Sequence, residues 1–170
     1  MAEAWPLLQA GLDICQREGW GEETAVIHNS LGNIAWKRGE FAAAMTHYQH
    51  SLQQFRQIND LPGVANALGN LSNAVFDASD LAAAASYGEE SLQLRRELGD
   101  AWGTAVTLNN LSHIAEAQGN YGRAAMLLQE GMAAAQRAGA VWLQGVLCRN
   151  LAYIEALDVD IQPSATGSSQ

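Results

Sequence analysis

Basic residues are scarce: nine Lys and Arg stand against eighteen Asp and Glu, for a net charge of -9. Such a surface repels phosphate backbones and anionic lipid headgroups, so no nucleic acid and no membrane are expected as partners. Cysteine is nearly absent. Cys15 and Cys148 fall in different columns of a repeating pattern and far apart along it, so no disulfide is expected, and a reducing, cytoplasmic location is. No run of about eighteen apolar residues exists to span a membrane, and Met1-Ala2-Glu3-Ala4 lacks the basic start of a secretory leader. No Gly-rich phosphate loop, HExxH helix or GxSxG turn occurs. The chain therefore reads as a non-enzyme without a cofactor. His47 and His50 stand one helical turn apart, but with no Cys or third His accompanying them they read as a solvated pair rather than a metal site.

What the chain does have is a period of forty. Residues 61–100 match residues 101–140 at 10 of 40 positions, and residues 21–60 match 61–100 at 11 of 40. The matches form columns: Leu31, Leu71, Leu111 and Leu151; Ala44, Ala84 and Ala124; Leu12, Leu52, Leu92 and Met132. A period of this size marks stacked supersecondary units, none of which can bury its apolar face alone. Within it, punctuation falls every twenty residues, at Gly19, Gly39, Asn59, Ser79, Gly99, Gly119 and Gly139. Glycine tolerates the left-handed conformation that closes a helix, asparagine less well, and Ser79 is the weakest of the series. Asp60, Asp80, Asp100 and Asn120 follow as helix caps, and Pro62 suits a first turn.

Between these marks, Ala, Leu, Gln and Glu with apolar spacings of three and four predict helices, and strands have no room. Eight are expected: 2–18, 22–38, 41–57, 62–78, 81–98, 101–118, 121–138 and 141–157. Short turns make successive helices antiparallel, and the period stacks each pair on the last, which gives an all-α solenoid. The array comprises a half repeat at 1–20, repeats at 21–60, 61–100 and 101–140, and a half repeat at 141–158. Residues 159–170, ending in QPSATGSSQ, lack periodicity and are expected to be a disordered tail. Cys148 aligns with Leu68 and Leu108 and so reads as a small core residue.

The segments NNLSHIAEAQGNYGRAAMLLQEGM, LGNLSNAVFDASDLAAAASYGEESL and NSLGNIAWKRGEFAAAMTHYQHSL resemble the tetratricopeptide repeat. The likeness is to its forty-residue form, found in bacterial multidomain signalling ATPases and transcriptional activators and in kinesin light chains. Matching positions are the four leucines above, the small residues Gly32, Ser72, Ser112 and Ala152 after them, Gly39 and Gly119, Phe41, Leu81 and Tyr121, the three alanines, and Ser51, Ser91 and Gly131. Ser79 departs from the turn glycine, and Ala35, Val75 and Ala115 stand where an aromatic is common. The resemblance implies a right-handed superhelix of helix pairs that binds protein or extended peptide segments in a groove lined by the first helices, within a larger signalling or regulatory protein.

Aligned on that pattern, the groove face offers Val26, Asn29, Asn33, Trp36 and Lys37; Asn66, Asn73, Phe76 and Asp77; Val106, Asn109, His113 and Glu116; and Val146, Arg149 and Tyr153. Asn33, Asn73, His113 and Tyr153 form one column. Amide side chains donate and accept together, so such a ladder can pair with the backbone of an extended peptide, while Trp36 and Phe76 receive apolar side chains. A second column, Asn70, Asn110 and Asn150, is expected to make structural hydrogen bonds to the neighbouring repeat. The competing function is a spacer or self-association array with no dedicated groove. The chain opens on a second helix and closes on a first, so the terminal helices lack partners. Trp5, Leu7, Leu8, Leu12 and Ile14 are then expected to be covered, either by further sequence or by self-association through the terminal helices.

Overall fold

The computed structural model of the chain describes residues 4–161, with side chains to residue 157. Among these residues there are eight helices and no strand. They are α1 (Ala4–Glu18), α2 (Gly21–Lys37), α3 (Phe41–Gln57), α4 (Leu61–Asp77), α5 (Leu81–Glu97), α6 (Ala101–Ala117), α7 (Tyr121–Arg137) and α8 (Val141–Ile161). The architecture is a helical repeat of antiparallel pairs. α8 runs past the expected end at 157, so residues 159–161 of the expected tail are helical. Residues 162–170 lie outside the described residues.

The seven joints share one backbone turn, and four of them add a side-chain cap that Trp20 and Glu40 do not supply. All seven punctuating residues have positive φ, including Asn59 at 56° and Ser79 at 68°. This left-handed residue lets the next backbone N–H reach back to the carbonyl five residues earlier, as Asp60 does to Phe55, Asp80 to Val75 and Asn120 to Ala115. The same residues then open the following helix. Asp60 Oδ1 accepts from the Gly63 amide at 3.0 Å, Asp80 from Ala83 at 3.1 Å, Asp100 from Gly103 at 2.8 Å and Asn120 from Arg123 at 3.1 Å. One short polar residue thus caps two helices.

The helices fall into two compact units, one ending at Leu98 and the other beginning at Gly99. In the first unit, Ala44, Tyr48, Leu52, Phe55, Val64, Leu68 and Leu71 form the core, with Trp5, Met45, Tyr87 and Leu94 packed against it. In the second, Ala105, Ala124, Leu128, Leu143, Leu147 and Ile154 do so. The alanine column is fully buried at Ala44, Ala84 and Ala124, because a residue without side-chain bulk lets two helix backbones approach. Two serines beside leucines bond across that approach. Ser72 Oγ donates to the Ala84 carbonyl and Ser91 Oγ to the Ala65 carbonyl, each at 2.8 Å.

Two expectations need correction. Cys148 is exposed rather than in the core, because the face that Leu68 and Leu108 turn to α5 and α7 has no following helix on α8 among the described residues. Trp5, Leu8 and Leu12 are half-buried, with Trp5 against the first unit's core, and the bare apolar residues of α1 are Leu7 and Ile14.

Candidate functional site

In the first unit the face expected to bind partners is tied together by its own hydrogen bonds. Asn70 Nδ2 donates to Asn29 Oδ1 at 2.8 Å, which bridges α2 and α4. Tyr48 Oη donates to Asn33 Oδ1 at 2.8 Å, Trp36 Nε1 to Asp77 Oδ2 at 2.6 Å, and Arg95 Nη2 to Asn66 Oδ1 at 2.7 Å. Burial pushes the Tyr48 phenol up to about 12, so it stays a donor. Asn73 and Phe76 are half-buried and Lys37 is exposed.

In the second unit the same columns leave a hollow. Ser112, His113, Glu116, Leu128, Asn150, Tyr153 and Ile154 line a cleft of about 300 Å³ between α6, α7 and α8. Its floor is apolar, since Leu128 and Ile154 are buried. Its rim is polar. His113 Nδ1 lies 3.5 Å from Glu116 Oε2, and His113 Nε2 lies 3.4 Å from Asn109 Nδ2. Asn150 Nδ2 donates to Asn109 Oδ1 at 2.8 Å, while Arg149 Nε and Nη2 donate to Asn150 Oδ1 at 3.3 and 3.2 Å. Tyr153 is 56% exposed, so its ring is a free wall. An apolar floor under a rim of donors and acceptors suits one side chain of a peptide together with its backbone amide.

The structure therefore gathers Asn109, His113, Glu116, Arg149 and Tyr153 at one place, and gathers Asn29, Asn33, Trp36, Asn66 and Asp77 into internal bonds. Asn70 and Asn150 make the inter-repeat bonds expected of their column. Leu128 and Ile154 were not among the anticipated site residues, because apolar residues in a core column carry no sign that one edge of them faces a cleft. A wider depression of about 520 Å³, lined by Gln49, Leu52, Gln53, Arg56, Gln57 and Tyr87, belongs to the second helices α3 and α5 and contains none of the expected groove residues.

A third histidine joins His47 and His50, contrary to the expected solvated pair. His28 Nδ1 is 3.1 Å from His47 Nδ1, and its ring stacks on His50 with centroids 4.9 Å apart. Trp5 meets His47 edge-on at 5.6 Å, and Arg38 lies over the Trp5 ring. His28 stands in the column of Leu68 and Leu108 and is only 8% exposed. Burial, reinforced by the neighbouring His50 and His47, lowers it to about 4. His47 is lowered as well, chiefly by burial and then by His50. Among the described residues no group of three or more His, Cys, Asp or Glu is placed to hold a metal ion, and no helix is long and apolar enough to cross a membrane.

The tetratricopeptide repeat model matches residues 23–97 and 64–137. No curated protein sequence matches the chain. Among solved structures, the apo form of RapI is similar with a TM-score of 0.75 and 14% identity, over 82% of this chain and 51% of that one. A signal transduction ATPase with numerous domains from Pyrococcus horikoshii, described as having a tetratricopeptide repeat sensor, gives 0.73 and 17%, over 81% of this chain and 21% of that one. The N-terminal domain of stress-induced protein-1 from C. elegans gives 0.63 and 17%, over 79% and 97%. The chain thus spans about half the length of RapI and about a fifth of the ATPase. At these identities the likeness concerns the fold.

Proposed function

The chain belongs to the tetratricopeptide repeat family, in general a non-catalytic protein-interaction scaffold, and from that premise we propose that it docks an extended peptide segment of a protein partner on its first-helix faces. The cleft beneath His113, Glu116 and Tyr153 carries this reading, because it joins an apolar floor to a polar rim at positions the repeat aligns. A side chain of the partner enters the cleft, and its backbone amide pairs with the rim. In the first unit the corresponding Asn33 and Trp36 are engaged internally by Tyr48 and Asp77, so the partner's side chain is taken at the second unit's cleft. The similar array of the Pyrococcus horikoshii ATPase is described as a sensor, which supports reading this chain as the interaction part of a larger cytoplasmic signalling or regulatory protein. A second reading, self-association through the terminal helices, is favoured by the bare apolar residues Leu7 and Ile14 of α1 and by Val141 and Trp142 of α8.

The test of the groove is a displayed peptide library selected on the whole chain. Selected peptides should lose more than about tenfold in affinity on His113→Ala with Tyr153→Ala, a change of about 1.4 kcal/mol, with no change in helical circular dichroism. Unchanged affinity in the double variant would move binding to the second-helix side or to the ends.

A further inference from the structure

Two helices carry one bare face each, and those faces are the two halves of an interface that the chain already makes internally. In α4 and α6, Ala65, Leu68 and Ser72, and likewise Ala105, Leu108 and Ser112, are buried. At the same positions of α8, Gly145, Cys148 and Ala152 are all exposed. On α1 the reverse side is bare. Ala4 is exposed where Ala44, Ala84 and Ala124 have no exposure, and Leu7 and Ile14 are 72% and 46% exposed. Leu8 and Gly11 are half-buried, at the positions of the buried pairs Tyr48 and Leu128, and Ser51 and Ser91.

Within the repeats these positions meet. Ser72 Oγ bonds the Ala84 carbonyl, Ser91 Oγ bonds the Ala65 carbonyl, and a Cβ placed on Gly131 would lie 3.5 Å from Leu108 Cβ. Moved along the forty-residue period, the same pairs become Ala152 with Ala4, Gly145 with Gly11, and Cys148 with Gly11. Small residues stand on both sides, so the backbones can approach as the internal pairs do. We propose that the α8 face of one copy docks on the α1 face of a second copy, continuing the first-helix to second-helix interface across the junction and joining copies head to tail. This rests on the self-association reading, not on the groove. Because the two faces differ, the contact is heterologous and leaves a free face at each end, so assembly is open rather than limited to a dimer.

The native thiol supplies the test. In the docked pair, Gly11→Cys would place its Cβ near that of Cys148 at the internal spacing, inside the span of about 3.5 to 4.5 Å that a disulfide needs. Gly11 has room for it, since its added Cβ meets only Ile27 Cδ1 at 3.4 Å. Mild oxidation of the full Gly11→Cys chain should give a ladder of dimers, trimers and higher species, and Cys148→Ser should abolish the ladder. By sedimentation the wild-type mass should rise with concentration. Leu7→Glu and Cys148→Glu should each stay monomeric alone, yet form a dimer when mixed, because each retains the face the other has lost. A wild-type chain that stays monomeric at every concentration overturns this interface and the self-association reading together. Association without the ladder, or association persisting in either face variant alone, overturns the α8-on-α1 interface and leaves the broader reading standing.

Discussion

The cleft of the second unit and the corresponding positions of the first are built from one pattern, eighty residues apart, yet one is open and the other filled. Ser112, His113, Glu116, Leu128, Asn150, Tyr153 and Ile154 correspond to Gly32, Asn33, Trp36, Tyr48, Asn70, Asn73 and Ala74. The decisive exchange is the pair Ser112 and Leu128 for Gly32 and Tyr48. A Cβ on Gly32 would lie 2.5 Å from the Tyr48 ring, so the missing side chain admits the phenol, whose hydroxyl then occupies Asn33. Two coupled residues thus convert an open cleft into a packed core without altering a helix.

The largest expected effect comes from emptying the filled position. Tyr48→Ala should cost about 3 to 5 kcal/mol, read from urea unfolding, since the ring is almost wholly buried. Next comes pH, which acts on the first unit because His28 sits buried there in a leucine column. With His28 held at about 4 in the folded chain and an ordinary value of 6.5 when unfolded, the unfolded state binds the proton that the folded state refuses. The neutral histidine's contribution is therefore whole above pH 6.5, falls as pH drops towards 4, and levels off below that, for a total on the order of 3 kcal/mol. Melting curves from pH 7 to pH 4 should show this loss, and His28→Leu should flatten it. The groove exchange comes third. Ser112→Gly with Leu128→Tyr should fill the open cleft, weakening selected peptides by more than about tenfold, or about 1.4 kcal/mol, without lowering the melting temperature. The smallest is Tyr48→Phe, which removes only the bond to Asn33 and should cost about 0.5 to 1.5 kcal/mol. A Tyr48→Phe chain as weak as Tyr48→Ala would locate the difference between the units in the hydroxyl rather than the ring.

Helix number, helix ends and the buried columns were legible because each rests on local chemistry repeated at fixed spacing. Asp60, Asp80, Asp100 and Asn120 cap where their position after a left-handed residue says they should. The site was less legible. Tyr48 reads as one aromatic among many until Gly32, sixteen residues earlier, is set against it. Trp36 and Asp77 reveal nothing of their bond across a repeat. His28 joins His47 and His50 only because adjacent helices lie side by side, which spacing along a single helix does not register. Cys148 departs from its column because burial there needs a following helix, and none follows α8 among the described residues.

The left-handed joints bear on how such a chain can be inherited. Asn59 and Ser79 adopt the conformation that glycine holds at the other five joints, so the architecture imposes the geometry and the residue merely tolerates it with more or less strain. A segment excised at one joint and inserted at another therefore meets matching ends, the same reach-back amide and the same length before the next stop. Whole-unit duplication and loss are the genetic changes this protein can absorb with least disturbance, whereas a single inserted residue inside a helix would rotate the rest of that helix by about 100° away from its partners.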